Sequence, residues 1–192
     1  MLNEKQFRER AKGELRHIGD QVVSLITDRD VYCKLENEVV ETNPQLRDRQ
    51  SAFLDMLRGN YTEAMTARTL RLLDGEDSGV SLPRVLAQLS EYPQLLHDKM
   101  TEREFADDCA ALLQAAADVK RVCGPRFSHH ERTVSALAPA HRELNRAIDL
   151  LSSMVKTYYW ILAGSYIDLD AKPTEETMAI FRFAWAVPTL TK

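Results

Sequence analysis

Apolar residues recur along this chain every three or four positions, in long runs that short polar stretches separate. The first run covers about residues 3 to 27, with apolar positions at Phe7, Ala11, Leu15, Ile18, Val22 and Leu25. This spacing predicts an amphipathic helix, and Asn3 is a candidate cap at its amino end. We predict a turn after this run, then a short helical piece within residues 28–43 that Asn43-Pro44 ends.

The second run covers about residues 46 to 73, with apolar positions at Phe53, Leu54, Leu57, Tyr61, Met65, Leu70 and Leu73. A polar turn over residues 74–79 follows it. Ser81-Leu82-Pro83 then has the pattern of a helix cap followed by an early proline. We therefore predict a short helix that ends at about Leu89.

The second half of the chain predicts two more long helices. Thr101 and Glu104 have the spacing of a capping box, which opens a helix to about Val122, and Gly124-Pro125 is expected to end it. The last long helix is predicted after Ala138-Pro139, over about residues 140–166, and a further helix over residues 174–185. No segment has strand-like alternation. The sequence thus predicts an all-α fold in a single domain over residues 1–192, a helical bundle of four main helices with additional short helices.

Composition narrows the class of protein. The net charge is −4, which argues against a surface that grips nucleic acid everywhere but leaves room for a local basic patch. No apolar run approaches the roughly 20 residues that span a bilayer, and the charged amino terminus does not resemble a secretory signal. The three cysteines lack the spacing of zinc or redox motifs. We expect a cytoplasmic protein without membrane association or cofactor.

The densest group of unusual side chains is KRVCGPRFSHHERT, residues 120–133, which we call the basic segment. It is expected to lie in an exposed turn after a helix end. A histidine with a pKa of about 6.5 can take the proton of a ribose 2′-hydroxyl or protonate the leaving oxygen. An arginine can hold the phosphate and stabilise its developing charge. The same residues also fit a solvated basic connection between two helices.

The sequence therefore gives two sets of candidate residues. The candidate catalytic residues are His129, His130, Arg126 and Arg121, and the candidate RNA-binding residues are Lys120 and Arg132. Neighbouring loop residues rarely converge on one metal ion, so no metal site is predicted. His17, His97 and His141 are isolated and are predicted to be surface or capping residues. The apolar stretch FRFAWAV, residues 181–187, either covers the core or contributes to a partner surface.

Over nearly its whole length, the chain resembles the AbiU-like, abortive-infection branch of the HEPN superfamily, and two stretches carry most of the resemblance. In LRLLDGEDSGVSLPRVLAQL, Arg71, Asp74, Ser81 and Leu82 stand where that family has a Leu-rich helix end, an Asp and a Ser-Leu helix start. Farther on, SHHE, residues 128–131, resembles the family's Ala-His-x-Asp signature, with His129 in the place of the functional histidine.

The resemblance implies a HEPN-like helical protein of a bacterial defence or toxin–antitoxin kind, which binds or cleaves RNA without a metal. It also implies a homodimer, an RNA substrate and an antitoxin partner, and no DNA. The chain departs from the family pattern at one point: Arg121 lies farther from His129, and Arg126 nearer, than the arginine of HEPN ribonucleases. The alternative is a catalytically inactive helical module for binding or oligomerisation, and the misplaced arginine favours it.

Overall fold

The structure, a computed structural model, describes residues 3–40, 52–75, 79–128 and 134–175. Five α-helices contain most of them: α1 (Glu4–Lys34), α2 (Ala52–Leu73), α3 (Leu82–Leu89), α4 (Glu102–Ser128) and α5 (Val134–Ala163). A π-helical stretch, Leu35–Val40, continues α1, and a 3-10 turn covers Pro93–Leu95. No strand occurs within the described ranges, which confirms the all-α prediction.

Helix α5 lies at the centre of the packing, since it contacts α1, α2 and α4. The predicted apolar stripe of α1 is confirmed, because Phe7, Ala11, Leu15, Ile18, Val22 and Leu25 are all buried. Arg16 contacts Tyr159, and Arg29 contacts Asp149, so α1 and α5 are antiparallel. Residues from all five helices form one continuous buried apolar cluster.

Several helix starts lie where the sequence places them. Asn3 forms a reciprocal capping box with Gln6, and its Oδ1 accepts from the Gln6 amide at 2.9 Å. Thr101 and Glu104 form the second predicted box, with the Glu104 amide 3.2 Å from the Thr101 hydroxyl. Ser81 stands at the start of α3, but its buried hydroxyl makes no capping bond. The bounds of α3 match the prediction.

The predicted turn after residue 27 was wrong, because α1 continues to Lys34. The polar residues at that point are held by neighbouring helices. Asp28 forms an ion pair with Arg68 of α2, and Arg29 lies 2.6 Å from Asp149 of α5. These pairs stabilise as helix a polar stretch that has no glycine or proline to break it.

Both predictions that a proline would stand at a helix boundary in the second half were wrong. Helix α4 runs through Gly124 and Pro125 to Ser128, and α5 contains Pro139 in its interior. An interior proline costs about 3 kcal/mol, because it removes one backbone hydrogen bond and crowds the preceding turn. Only residues 129–133 therefore lie between the two helices.

The chain after α5 returns across α1. Gly164, with φ +67°, ends α5 in a left-handed conformation that suits glycine. A Cβ atom on Gly19 would lie 2.9 Å from Ile167 Cδ1, so a larger residue would push this segment away from α1. Farther along, the Lys172 amide donates to the Thr27 hydroxyl at 2.9 Å. The segment thus covers the amino-terminal helix.

Some predictions fall outside the described residues. These are the break at Asn43-Pro44, nearly all of the helix predicted over residues 174–185, and the apolar stretch 181–187. Among the helices that the structure describes, none is both long enough and apolar enough to cross a bilayer.

Candidate functional site

Part of the basic segment belongs to α4, and the rest lies outside the described residues. Lys120, Arg121 and Arg126 belong to α4. The helix was predicted to about Val122, so the expected turn was wrong for residues 123–128. The side chain of Arg126 lies outside the described part, as do His129, His130 and Arg132 entirely. The roles assigned to these four residues stay predictions.

The two described cations of the basic segment form ion pairs. Lys120 Nζ lies 2.8 Å from Asp74 Oδ2, and Arg121 lies 3.0 Å from Asp118 Oδ1. Hydrogen bonds from Gln114 and Arg121 lower the pKa of Asp118, so this carboxylate stays charged beside the guanidinium. The Arg121 side chain is 69% exposed, and the pair is a surface pair.

Helix α4 also fixes the distance between Arg121 and the candidate histidines. At 1.5 Å per residue, Arg121 lies about 10 Å from Ser128 along the helix axis. Its guanidinium reaches towards Asp118, on the opposite side from Ser128. The helix continues through Gly124 and Pro125, so no bend there returns Arg121 towards residue 129.

A second group of polar side chains, which the sequence did not indicate, lies where α1, α2 and α5 meet. We call it the polar junction, and its members are Tyr32, Glu36, Arg58, Tyr61, Thr62 and His141. His141 is half-buried, so the prediction that it is an isolated surface or capping residue was wrong.

Glu36 and Arg58 form the charged part of the polar junction. Arg58 donates two hydrogen bonds of 2.8 Å, one to each carboxylate oxygen, and the two side chains are 13% (Arg58) and 23% (Glu36) exposed. Burial is the largest influence on the pKa of Glu36 and by itself would raise it. The hydrogen bonds and charge of Arg58, with smaller effects of Tyr32 and His141, outweigh burial, so the pKa is lowered. Both groups of this pair are therefore ionised at neutral pH.

His141 is held by two tyrosines and a threonine. The rings of Tyr32 and Tyr61 stack with centroids 3.8 Å apart, and His141 meets both edge-on, at 5.3 and 5.6 Å. His141 Nε2 lies 2.8 Å from the hydroxyl oxygen of Thr62. That hydroxyl has one proton, which it donates to the Arg58 carbonyl at 2.8 Å. His141 therefore donates from Nε2 to the Thr62 hydroxyl.

Burial raises the pKa of both tyrosines above its ordinary value, so both phenols stay neutral at physiological pH. In Tyr32 the charge of Glu36 adds to this effect, and its phenol donates to Glu36 at 3.2 Å. In the polar junction Tyr32 thus acts as a hydrogen-bond donor, and both tyrosine rings act as packing surfaces rather than as charged groups.

The polar junction lies at one end of the bundle. Helices α4 and α5 are antiparallel, as the 2.9 Å hydrogen bond from Tyr158 to Asp108 shows, so α4 ends where α5 begins. His141 stands about two turns after the start of α5. The structure therefore places the polar junction at the end of the bundle where residues 129–133 join α4 to α5.

The polar junction was missed because its members come from three distant parts of the chain. Arg58 and Glu36 are 22 positions apart, and Thr62 and His141 are 79 apart. One local signal was present: Tyr32 with Glu36, and Arg58 with Thr62, have the four-residue spacing that places two side chains on the same helix face.

No group of three or more His, Cys, Asp or Glu side chains in the described ranges could hold a metal ion. No protein-family model matches the chain, no curated protein is similar to it in sequence, and no solved structure is similar to it in fold.

Proposed function

We propose that this chain is a HEPN-type protein of a bacterial defence or toxin–antitoxin kind that binds RNA and cleaves it by metal-independent acid–base chemistry. The observation that carries the proposal is the polar junction. It supplies a half-buried histidine and an ionised Glu36–Arg58 pair at the end of the bundle where the His129-His130 connection joins α4 to α5. Histidines and arginines are the residue types that metal-independent phosphodiester cleavage needs.

In this proposal, His129 takes the proton of the ribose 2′-hydroxyl or protonates the leaving oxygen, and His130 assists. Arg126 holds the phosphate, while Lys120 and Arg132 contact the RNA backbone. Arg121 could replace Arg126 only by leaving Asp118. Exposed ion pairs of this kind contribute little to stability, so the exchange is energetically accessible. The protein acts as a homodimer, and an antitoxin would control it.

The alternative is a catalytically inactive module that binds a nucleotide, an RNA or a protein. The ion pairs of the basic segment favour it, because Lys120 and Arg121 both contact carboxylates instead of facing an open phosphate site. The two functions differ in one measurable respect, which is whether a bound RNA is cut.

The first test is cleavage of a mixed-sequence RNA by purified protein in excess EDTA. We compare the wild type with His129→Ala, and with His97→Ala as the matched control, because the His97 side chain is 86% exposed and lies outside the candidate site. The wild type and His97→Ala should cut the RNA alike. His129→Ala should lose at least about 100-fold in rate, the usual contribution of a general acid or base.

Each remaining outcome identifies a different function. RNA that is retained on a native gel but stays intact would reject cleavage and support the inactive module. If the protein neither binds nor cuts the RNA, the RNA proposal is rejected altogether. Induced expression in a bacterial host, followed by analysis of total RNA, tests the same variants in cells, and sedimentation velocity tests the homodimer.

A further inference from the structure

A small polar cleft lies between α1 and α2, away from the polar junction. Its volume is about 190 Å³, and its polar lining consists of His17, Asp20, Gln21 and Ser24 from α1 with Arg68 and Arg71 from α2. Arg68 stands ten residues after Arg58, which is about 15 Å along the helix. The cleft is therefore separate from the polar junction.

The two arginines of the cleft differ in their partners. Arg68 forms an ion pair with Asp28 and donates to the Ser24 hydroxyl at 2.7 Å, so its charge is balanced. Arg71 donates to the Gln21 side-chain carbonyl at 2.8 Å. Among the residues that the structure describes, no carboxylate forms an ion pair with Arg71. A neutral amide orients the guanidinium without cancelling its charge.

An oriented guanidinium with an unbalanced charge is suited to a phosphate group. A guanidinium has five N–H donors, of which Gln21 uses one, and its planar fork matches two phosphate oxygens. Arg68, one turn earlier on α2, adds a second guanidinium at the edge of the same cleft. These features favour a phosphoryl anion over a neutral ligand.

Asp20 further restricts the class of ligand that the cleft can bind. A carboxylate in the cleft would repel an isolated polyanion, but it accepts hydrogen bonds from hydroxyl groups. A sugar phosphate suits both kinds of group in the cleft, with phosphate oxygens on Arg71 and a ribose hydroxyl on Asp20. The volume is smaller than that of sites that enclose a whole drug-sized ligand, so it accommodates one such unit of a larger molecule.

We propose that this cleft binds one ribose phosphate unit, either of a free nucleotide or of an RNA backbone, with Arg71 as the phosphate ligand and Asp20 as the hydroxyl acceptor. This inference goes beyond the proposed function and does not depend on it, since it requires neither His129 nor cleavage.

The test is titration of the full chain, followed by NMR or calorimetry, with AMP, dAMP, inorganic phosphate and a short single-stranded RNA. The His129→Ala background prevents RNA cleavage during the measurement. AMP should bind saturably and more tightly than inorganic phosphate or dAMP, because only AMP supplies both the phosphate and the 2′-hydroxyl. Asp20→Asn should reduce the preference for AMP over dAMP.

Two variants remove the proposed phosphate ligand in different ways. Arg71→Ala deletes the guanidinium, while Gln21→Glu places a carboxylate where the amide contacts it and so neutralises its charge. Each should weaken AMP binding about tenfold or more, and circular dichroism should show unchanged helix content. Arg103→Ala is the control, because its side chain is 91% exposed on α4, and it should leave affinity unchanged within about twofold.

The outcomes separate the ligand sources and the two proposals. Tighter binding of RNA than of AMP identifies an RNA backbone, and the reverse identifies a nucleotide; both support the cleft. Absence of saturable binding by AMP and RNA at millimolar concentration overturns the inference, as does equal weakening by Arg103→Ala. Phosphate that binds as tightly as AMP overturns the ribose assignment. If the chain that keeps His129 binds AMP but does not cut RNA, the result supports ligand binding in the cleft and rejects the ribonuclease function.

Discussion

The polar junction and the basic segment contain similar residue types in opposite environments. The polar junction combines side chains from three helices that are far apart in sequence, and its Arg58–Glu36 pair is largely buried. The basic segment is continuous in sequence, and its described cations, Lys120 and Arg121, make exposed pairs with nearby acids. A run of charged residues in a sequence is therefore a weaker guide to an organised polar site than the packing of helices.

The physical reason for the difference is desolvation. A charge that leaves water needs a partner with good geometry, so the two bonds of Arg58 to Glu36 are a condition for burying either residue. An exposed charge keeps water as its partner, so the ion pair of Arg121 is optional. Substitutions in the polar junction should therefore change stability more than substitutions in the basic segment.

The largest effect should come from Arg58→Ala, which leaves Glu36 partly buried without its cation. We expect the free energy of unfolding to fall by about 3 kcal/mol, the lower end of the range for a broken buried pair, since some solvent still reaches it. Urea denaturation of purified protein measures the change. A loss below about 0.5 kcal/mol would show that water replaces the arginine and that the junction is not desolvated.

His141→Ala should have the next largest effect. It removes the hydrogen bond to Thr62 and the edge contacts with Tyr32 and Tyr61, so we expect a loss of about 1.5 kcal/mol by the same measurement. His141→Gln should recover part of the loss, because its amide can donate to Thr62. If His97→Ala, at an exposed position, costs as much, then the packing around His141 is not responsible.

Acidification should reveal the charge of Glu36. The pKa of Glu36 is lowered in the folded state. As the pH falls, Glu36 of the unfolded chain is therefore protonated at a pH near 4.3, before Glu36 of the folded protein. The stability that this carboxylate provides is complete above that pH and is lost as pH falls through the lower folded pKa. We expect the stability difference between the wild type and Glu36→Gln to shrink as the pH falls from about 5 to about 3. A difference that stays constant over this range would contradict the assigned pKa direction.

The smallest effect should come from Arg121→Ala, which breaks only an exposed pair on α4. We expect no measurable change in the urea midpoint at physiological salt, because water replaces the lost partner. A clear destabilisation would mean that the basic segment is as tightly organised as the polar junction, and the contrast between the two regions would fail.

Much of the fold could be predicted from local patterns. The apolar stripe of α1, the capping boxes at Asn3 and Thr101 and the bounds of α3 all depend on residues within one or two turns of each other. The continuation of α4 through Pro125 could not be predicted this way, because glycine and proline locally disfavour a helix interior.

The same limit applies to the candidate site. The sequence predicts His129, His130, Arg126 and Arg132 from their proximity along the chain, and these roles stay predictions. It missed His141 because the residues that hold it, such as Thr62, belong to another helix. Sequence patterns within one helix identify its buried face, but they do not show which polar groups of two helices will meet.

The contact between the segment after α5 and α1 constrains the order in which the chain can fold during synthesis. Helix α1 leaves the ribosome before α5, yet its apolar face packs mainly on α5, and Gly19 and Thr27 contact residues that emerge still later. Until those residues are available, α1 has no complete surface on which to bury its stripe. The nascent chain must therefore keep this helix protected or only transiently formed until α5 has been made.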